Sequence, residues 1–190
     1  MNYNIRLAKS EEAGEIAKLI MLAWPVEEFL ASSPELTYNK LYAKISSCVA
    51  SPQNIYSYEN TFVSLLPNGL IIGALCGYDG GRYQALKQPV LDVLELDINS
   101  SFARTIETDA SEFYLDSIGV DPQWRGKGVA TALFKAQIER ARILGHNKVG
   151  LIVDVDKPEA ENLYLKLGFE FFGYKDFVGH KMKHLVFNIK

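Results

Sequence analysis

An α/β domain is the fold class this sequence predicts, and three observations predict it. Strand-like and helix-like hydrophobic periods alternate along the whole chain. Stop signals separate them, at Asp121-Pro122, Gly145 and Gly168. The length, 190 residues with 48% apolar, suits one domain with a full core.

Tyr3, Ile5 and Leu7 alternate with polar residues and predict a first strand. Ser10 is a good N-cap for the helix that follows, in which Ile16, Leu19, Ile20 and Ala23 keep helical spacing. Residues 24–51 read as a loop and a second helix carrying Leu41, Ile45 and Val49. Phe62 to Leu66 and Gly69 to Tyr78 flank Pro67-Asn68-Gly69 and predict a hairpin. Residues 80–110 open on Gly80-Gly81 and read as a helical or irregular insertion. Glu112 to Val120 is a strong strand. A helical period then runs through Val129, Leu133, Phe134, Ile138, Ala141 and Leu144. Val149 to Val155 is a β-branched strand, and Pro158 to Leu167 a short helix. Phe169 to Tyr174 and Leu185 to Ile189 close the chain as strands. No repeat, linker or low-complexity tract divides the sequence, so residues 1–190 are expected to form a single domain.

Composition excludes several classes. A charged fraction of 23% and the apolar content exclude global disorder. A net charge of −3 argues against nucleic-acid binding through bulk charge. Cys48 and Cys76 make no disulfide framework, and three histidines, all beyond residue 145, show no metal-site spacing. The N-terminal run lacks the basic and apolar regions of a secretory leader. Residues 62–78 are too short, and too broken by Pro67 and glycines, to span a bilayer. A cytoplasmic protein without metal, nucleic-acid or membrane partners is the expectation.

Chemistry concentrates in Asp121-Pro122-Gln123-Trp124-Arg125-Gly126-Lys127-Gly128-Val129-Ala130, which joins a strand to an amphipathic helix. Gly126 and Gly128 allow positive φ and close approach of the backbone to a ligand. The first helical N–H groups have no intrahelical partner and sit at the positive end of the helix dipole. Together they form a seat for a pyrophosphate, with Arg125 and Lys127 beside it. The same loop without a ligand is the plainer alternative. It is not a Walker A loop, because Gly128 stands where Ser or Thr is needed, and it lacks the three glycines of a dinucleotide fingerprint.

Gln123-Trp124-Arg125-Gly126-Lys127-Gly128 resembles the acetyl-CoA signature of the GCN5-related N-acetyltransferase (GNAT) family, Gln/Arg-x-x-Gly-x-Gly/Ala, at every specified position. A second run, Ala160-Glu161-Asn162-Leu163-Tyr164-Leu165-Lys166-Leu167-Gly168-Phe169, looks like the family's Ala-x-x-Leu-Tyr-x-x-x-Gly-Phe. The order of elements fits over nearly the whole chain.

The resemblance implies a single mixed, mostly antiparallel sheet flanked by helices, splayed between the 112–120 and 149–155 strands. It implies acetyl-CoA as co-substrate, with no metal. Pantetheine then pairs with backbone at Ile118 and Val120, and an N–H of the 118–120 strand, Gly119 included, faces the developing oxyanion. Gln123 and Trp124 belong to the signature, and the pyrophosphate rests on the N–H groups from Arg125 to Ala130. The family often has Asn where this chain has Lys157, so Lys157 or Asn162 takes over that contact.

Tyr164 matches the family's catalytic tyrosine and is the expected general acid for the departing thiolate. The alternative is a tyrosine that only packs with Leu163 and Leu167. Strand alternation places Glu112, Tyr114, Asp116, Ile118 and Val120 on one face, which makes Glu112 and Asp116 candidate general bases. Either could equally be an ordinary solvated or paired acid. The acceptor is expected to be a small-molecule or peptide amine, and the protein a monomer or homodimer. Trp24, Glu27, Glu28 and Phe29 fall where the family walls its acceptor groove. Asp92, Glu95 and Asp97 either favour a cation there or form a solvated face. Tyr56, Tyr58, Tyr78 and Tyr83 line the groove or the core. The rival readings are a non-catalytic acyl-CoA-binding module on the same fold, and a modifier of histones or ribosomes, for which no peptide groove is marked.

Overall fold

The computed structural model describes residues 2–31, 35–97 and 99–190. Residues 32–34, within the segment read as loop and second helix, residue 98, within the insertion, and residue 1 lie outside the described residues. One open seven-stranded sheet runs β1-β2-β3-β4-β5-β7-β6. Its strands are β1 (Asn4–Leu7), β2 (Thr61–Leu65), β3 (Ile71–Asp79), β4 (Phe113–Val120), β5 (Lys148–Asp154), β6 (Glu170–Phe177) and β7 (His180–Asn188). Every adjacent pair is antiparallel except β4 and β5. Before β2 come α1 (Ala13–Met21), α2 (Val26–Ala31) and α3 (Tyr38–Ala50). The insertion supplies α4 (Tyr83–Leu94) and the short α5 (Ser101–Arg104). Then α6 (Val129–Ile143) joins β4 to β5, and α7 (Pro158–Lys166) joins β5 to β6. Among the described residues no helix is long and apolar enough to cross a membrane.

The apolar periods of the helices cover both faces of the sheet. Ile16, Ile20, Leu41, Ile45 and Val90, from α1, α3 and α4, bury one face together with Ala74, Cys76 and Tyr114. Val129, Leu133, Phe134 and Ile138 of α6, with Tyr164 of α7, bury the other against Leu75, Phe113, Leu115, Leu151 and Leu185. The parallel β4–β5 seam therefore lies between two helical layers, as parallel pairs generally do.

Three details depart from the sequence reading. Ser10 is not the N-cap of α1. It lies in a 3-10 turn (Ser10–Glu12), and the Glu12 carboxylate accepts from the Lys9 N–H at 2.8 Å and pairs with Arg6. An extra helix, α2, forms in the segment read as a loop. The closing strands are longer than their alternation suggested and meet at a tight turn, Val178-Gly179.

Candidate active site

The β4–β5 seam opens into a fork. Only Phe113 with Val149 and Tyr114 with Gly150 pair across it, although both strands continue, to Val120 and Asp154. On its other side β4 stays paired with β3 through Val120, opposite Gly73. The Asp121 N–H bonds the Ile72 carbonyl at 3.0 Å, which fixes the alternation there. Backbone groups of Ile118 and Val120 therefore point away from β3, into the fork. Gly119 lies between them. One of these groups, the Val120 carbonyl, accepts from Arg125 Nε at 3.2 Å.

At the mouth of the fork the chain turns into α6. The Asp121 side chain accepts from the Gln123 N–H at 2.8 Å and holds the turn Pro122–Trp124. Gly126 and Gly128 have φ of +71° and +81°, the conformation that strains any residue with a Cβ. Gly128 is the N-cap of α6 and offers no side-chain cap. The first donors of this fifteen-residue helix, around Val129 and Ala130, are left open. Gln123, Arg125 and Lys127 are exposed, and Lys127 Nζ stands 4.6 Å above the Trp124 ring. The loop thus has what an anion needs: N–H donors, a helix dipole and nearby cations.

The structure gathers Ile118, Val120, Trp124, Val129 and Tyr164 into one apolar cluster on the α6 face. The Tyr164 ring is buried edge-on against Phe134 and Phe169, with centroids at 5.3 and 6.3 Å. Its hydroxyl bonds no described residue. Burial pushes its pKa up to about 12, so the proton stays on at neutral pH. Lys157 and Asn162 are exposed. Asn162 precedes Tyr164 by two residues, about 200° round the helix, so the two share no face.

The expected alternation along residues 112–120 fails at one point. Leu75 is opposite Ile118, but Gly77 is opposite Leu115. Strand β4 spends two residues, Asp116 and Ser117, against Cys76, which is a β-bulge. Below it Tyr114 faces the α1/α3/α4 core; above it Ile118 and Val120 face α6. The five residues do not share one face.

Asp116 is the first side chain on the α1/α4 face beyond the last β4–β5 pair. Tyr78 donates to its Oδ2 at 2.6 Å and Ser117 to its Oδ1 at 2.7 Å. Burial raises its pKa, and these two hydrogen bonds partly oppose the shift. A second acid meets it there. Glu107, from the insertion, accepts from Tyr83 at 3.0 Å and Tyr114 at 2.8 Å. Burial, then the charge of Asp116, pushes Glu107 up to about 8. Neither its neighbours nor any periodicity marked Glu107 in the sequence. The exposed acids did stand out there. Asp92 and Asp97 bond within their own turns, and Glu95 pairs with Lys44 at 3.2 Å.

Rings from four segments form an aromatic cluster. Trp24 lies 5.4 Å from Tyr56, 5.9 Å from Phe29 and 6.4 Å from Phe102, and Phe102 lies 6.2 Å from Phe177. Glu27 and Glu28 are exposed, and Glu28 meets His180 at 3.3 Å.

Glu112 sits below the fork, before the first cross-seam pair. Its carboxylate accepts from His184 Nε2 at 2.9 and 3.2 Å and from the Asp109 N–H at 2.9 Å. Gly150 makes room for it, since a Cβ there would come within 2.1 Å of the carboxylate. Both Glu112 and His184 are buried. The structure brings Asp116 to the fork and keeps Glu112 at its closed end.

Comparison with known proteins agrees with this architecture. The profile of the acetyltransferase (GNAT) family matches residues 20–169. An acetyltransferase crystal structure superposes with a TM-score of 0.79 at 27% identity, covering 98% of this chain and all of that one. The N-acetyltransferase from Staphylococcus aureus Mu50 superposes at 0.83 with 23% identity, covering 96% and 99%. An uncharacterised N-acetyltransferase of Methanocaldococcus jannaschii is 43% identical over 56 residues. That match spans 30% of this chain and 25% of that protein.

Proposed function

The chain belongs to the acetyltransferase (GNAT) family, and on that premise we propose that it transfers the acetyl group of acetyl-CoA to a primary amine, by direct attack in a ternary complex. The observation that carries this reading is the fork: a β4 edge without a strand partner at Ile118 and Val120, with an open helix N-terminus at its mouth. The reading takes residues 1–190 as one N-acetyltransferase domain.

The groups present suit the cofactor. The edge of β4 pairs with pantetheine amides, and the N–H groups from Arg125 to Ala130 hold the pyrophosphate. Acetyl-CoA, when bound, supplies the reactive thioester. Asp116 accepts a proton from the amine, whose nitrogen attacks the carbonyl carbon. The N–H of Ile118 or Val120 stabilises the oxyanion; that of Gly119, expected to share this role, is turned to Ala74 of β3 instead. As the C–S bond breaks, Tyr164 gives its proton to the sulfur. Glu112 is assigned to the packing of the seam.

The test is release of CoA thiol from acetyl-CoA across amines, polyamines, aminoglycosides and peptide N-termini. Turnover with at least one amine is expected. Tight CoA binding with no turnover on any acceptor would leave an acyl-CoA-binding module. The loop makes a separate prediction. Gly128→Ala forces a Cβ into positive φ at about 1–2 kcal/mol. Acetyl-CoA affinity measured by titration calorimetry then falls by about tenfold, with kcat changed by less than about threefold.

A further inference from the structure

The acid pair facing the fork has a fixed cation of its own. Lys87 of α4 is buried, and its Nζ donates to the carbonyls of Thr105 at 2.8 Å and Ala103 at 3.3 Å. It also lies 4.8 Å from the centres of the Tyr83 and Phe102 rings. Burial lowers its pKa, and the charges of Glu107 and Asp116 offset only part of that shift. Tyr78 donates to Asp116, Tyr83 and Tyr114 donate to Glu107, and the Tyr78 ring packs 6.4 and 5.9 Å from those of Tyr83 and Tyr114. A second lysine, Lys175, donates to the Glu107 carbonyl at 2.8 Å and faces Glu112 and Asp109 as well. It is matched by those acids.

Resting on the acetyltransferase reading above, we propose that Lys87, Glu107 and Asp116 form the charge-selecting floor of the acceptor site, which takes a primary amine bearing a single positive charge and an apolar, ring-bearing body. The charge count is the argument. Burial and the charge of Asp116 raise Glu107 to about 8, so the pair keeps one proton at neutral pH. The remaining negative charge is balanced by Lys87. An incoming ammonium displaces that one proton and restores balance. A second cation on the same acceptor finds Lys87 already in place and no spare carboxylate. The body of the acceptor meets Trp24, Phe29, Phe102 and Phe177, flat apolar faces that also favour a cation beside them.

The experiment compares kcat/KM for 2-phenylethylamine and putrescine in the thiol-release assay. The wild type favours 2-phenylethylamine by at least about tenfold, one unfavourable charge contact. Lys87→Met removes the fixed cation and shifts the ratio toward putrescine by about tenfold, while Lys87→Arg keeps the wild-type ratio. Acetyl-CoA affinity stays unchanged in both. Where Lys87→Met does not fold, Glu107→Gln serves: KM for 2-phenylethylamine rises about tenfold with acetyl-CoA affinity constant. Turnover confined to polyamines or peptides, or a ratio indifferent to Lys87, overturns this assignment and leaves the acetyltransferase reading standing. Absence of thiol release with every amine overturns both.

Discussion

Tyr164→Phe lowers kcat by a hundredfold or more, in the range of about 10²–10⁴ that a positioned general acid contributes. The substitution removes one oxygen and leaves the ring. Packing against Phe134 and Phe169 survives, so the thermal midpoint stays close to that of the wild type. The hydroxyl bonds nothing in the described chain, so no buried partner is stranded. Acetyl-CoA affinity, measured separately by calorimetry, changes by less than about threefold, because the lost interaction forms only as the thiolate departs. With a pKa near 12, this phenol causes no alkaline fall in kcat below that range. A variant that keeps kcat and loses affinity would make Tyr164 a binding residue instead of an acid.

Glu112→Ala has the largest expected effect on stability. It strands the His184 Nε2–H and the Asp109 N–H in a site closed to water, and it opens a void beside Gly150. Breaking a buried pair of this kind costs about 3–5 kcal/mol. For a chain of this size that lowers the melting temperature by roughly 6–20 °C. Activity per folded molecule, measured well below the transition, stays within about threefold. The opposite pattern, an unchanged melting curve with a hundredfold loss of kcat, would return Glu112 to the reaction as its base. Asp116→Asn gives the reverse signature under the proposed function: a small change in melting and a large loss of kcat.

Much of this architecture was legible because local chemistry dictates it. Gly126 and Gly128 announce positive φ whatever the rest of the chain does. The helical period from Val129 onward fixes which side of α6 is buried, and with it the direction of the loop. The splay of the seam came through the family resemblance, and the paired residues bear it out at Phe113–Val149 and Tyr114–Gly150. The buried charged cluster beside the fork was hidden for a physical reason. Lys87, Glu107 and Asp116 lie far apart in sequence and meet only because the insertion folds back over β4. Alternation marked only Asp116; Lys87 and Glu107 belong to no periodic pattern, and a solvated acid looks the same on paper as a buried one. Asp92, Glu95 and Asp97 showed the converse, conspicuous in sequence and spent on turns and one surface ion pair. The bulge was equally silent. Asp116-Ser117 contains neither Gly nor Pro, so strict alternation carried Glu112 to Val120 onto one face. Ser10 failed as a cap because Glu12, two residues later, reaches back with a stronger acceptor.

That single extra residue in β4 acts as a change of reading frame. Before it, Tyr114 faces the α1/α3/α4 layer; after it, Ile118 and Val120 face α6. Residues on one strand, a few ångströms apart, therefore belong to different layers and can vary separately. Under the proposed function, a lineage could retune Tyr114 and Asp116 for a new acceptor while Ile118 and Val120 keep their place against α6. Deleting one residue at this step would make the pairing with β3 regular and leave Ile118 and Val120 on the α6 face, at the loss of the Asp116–Ser117 hydrogen bond.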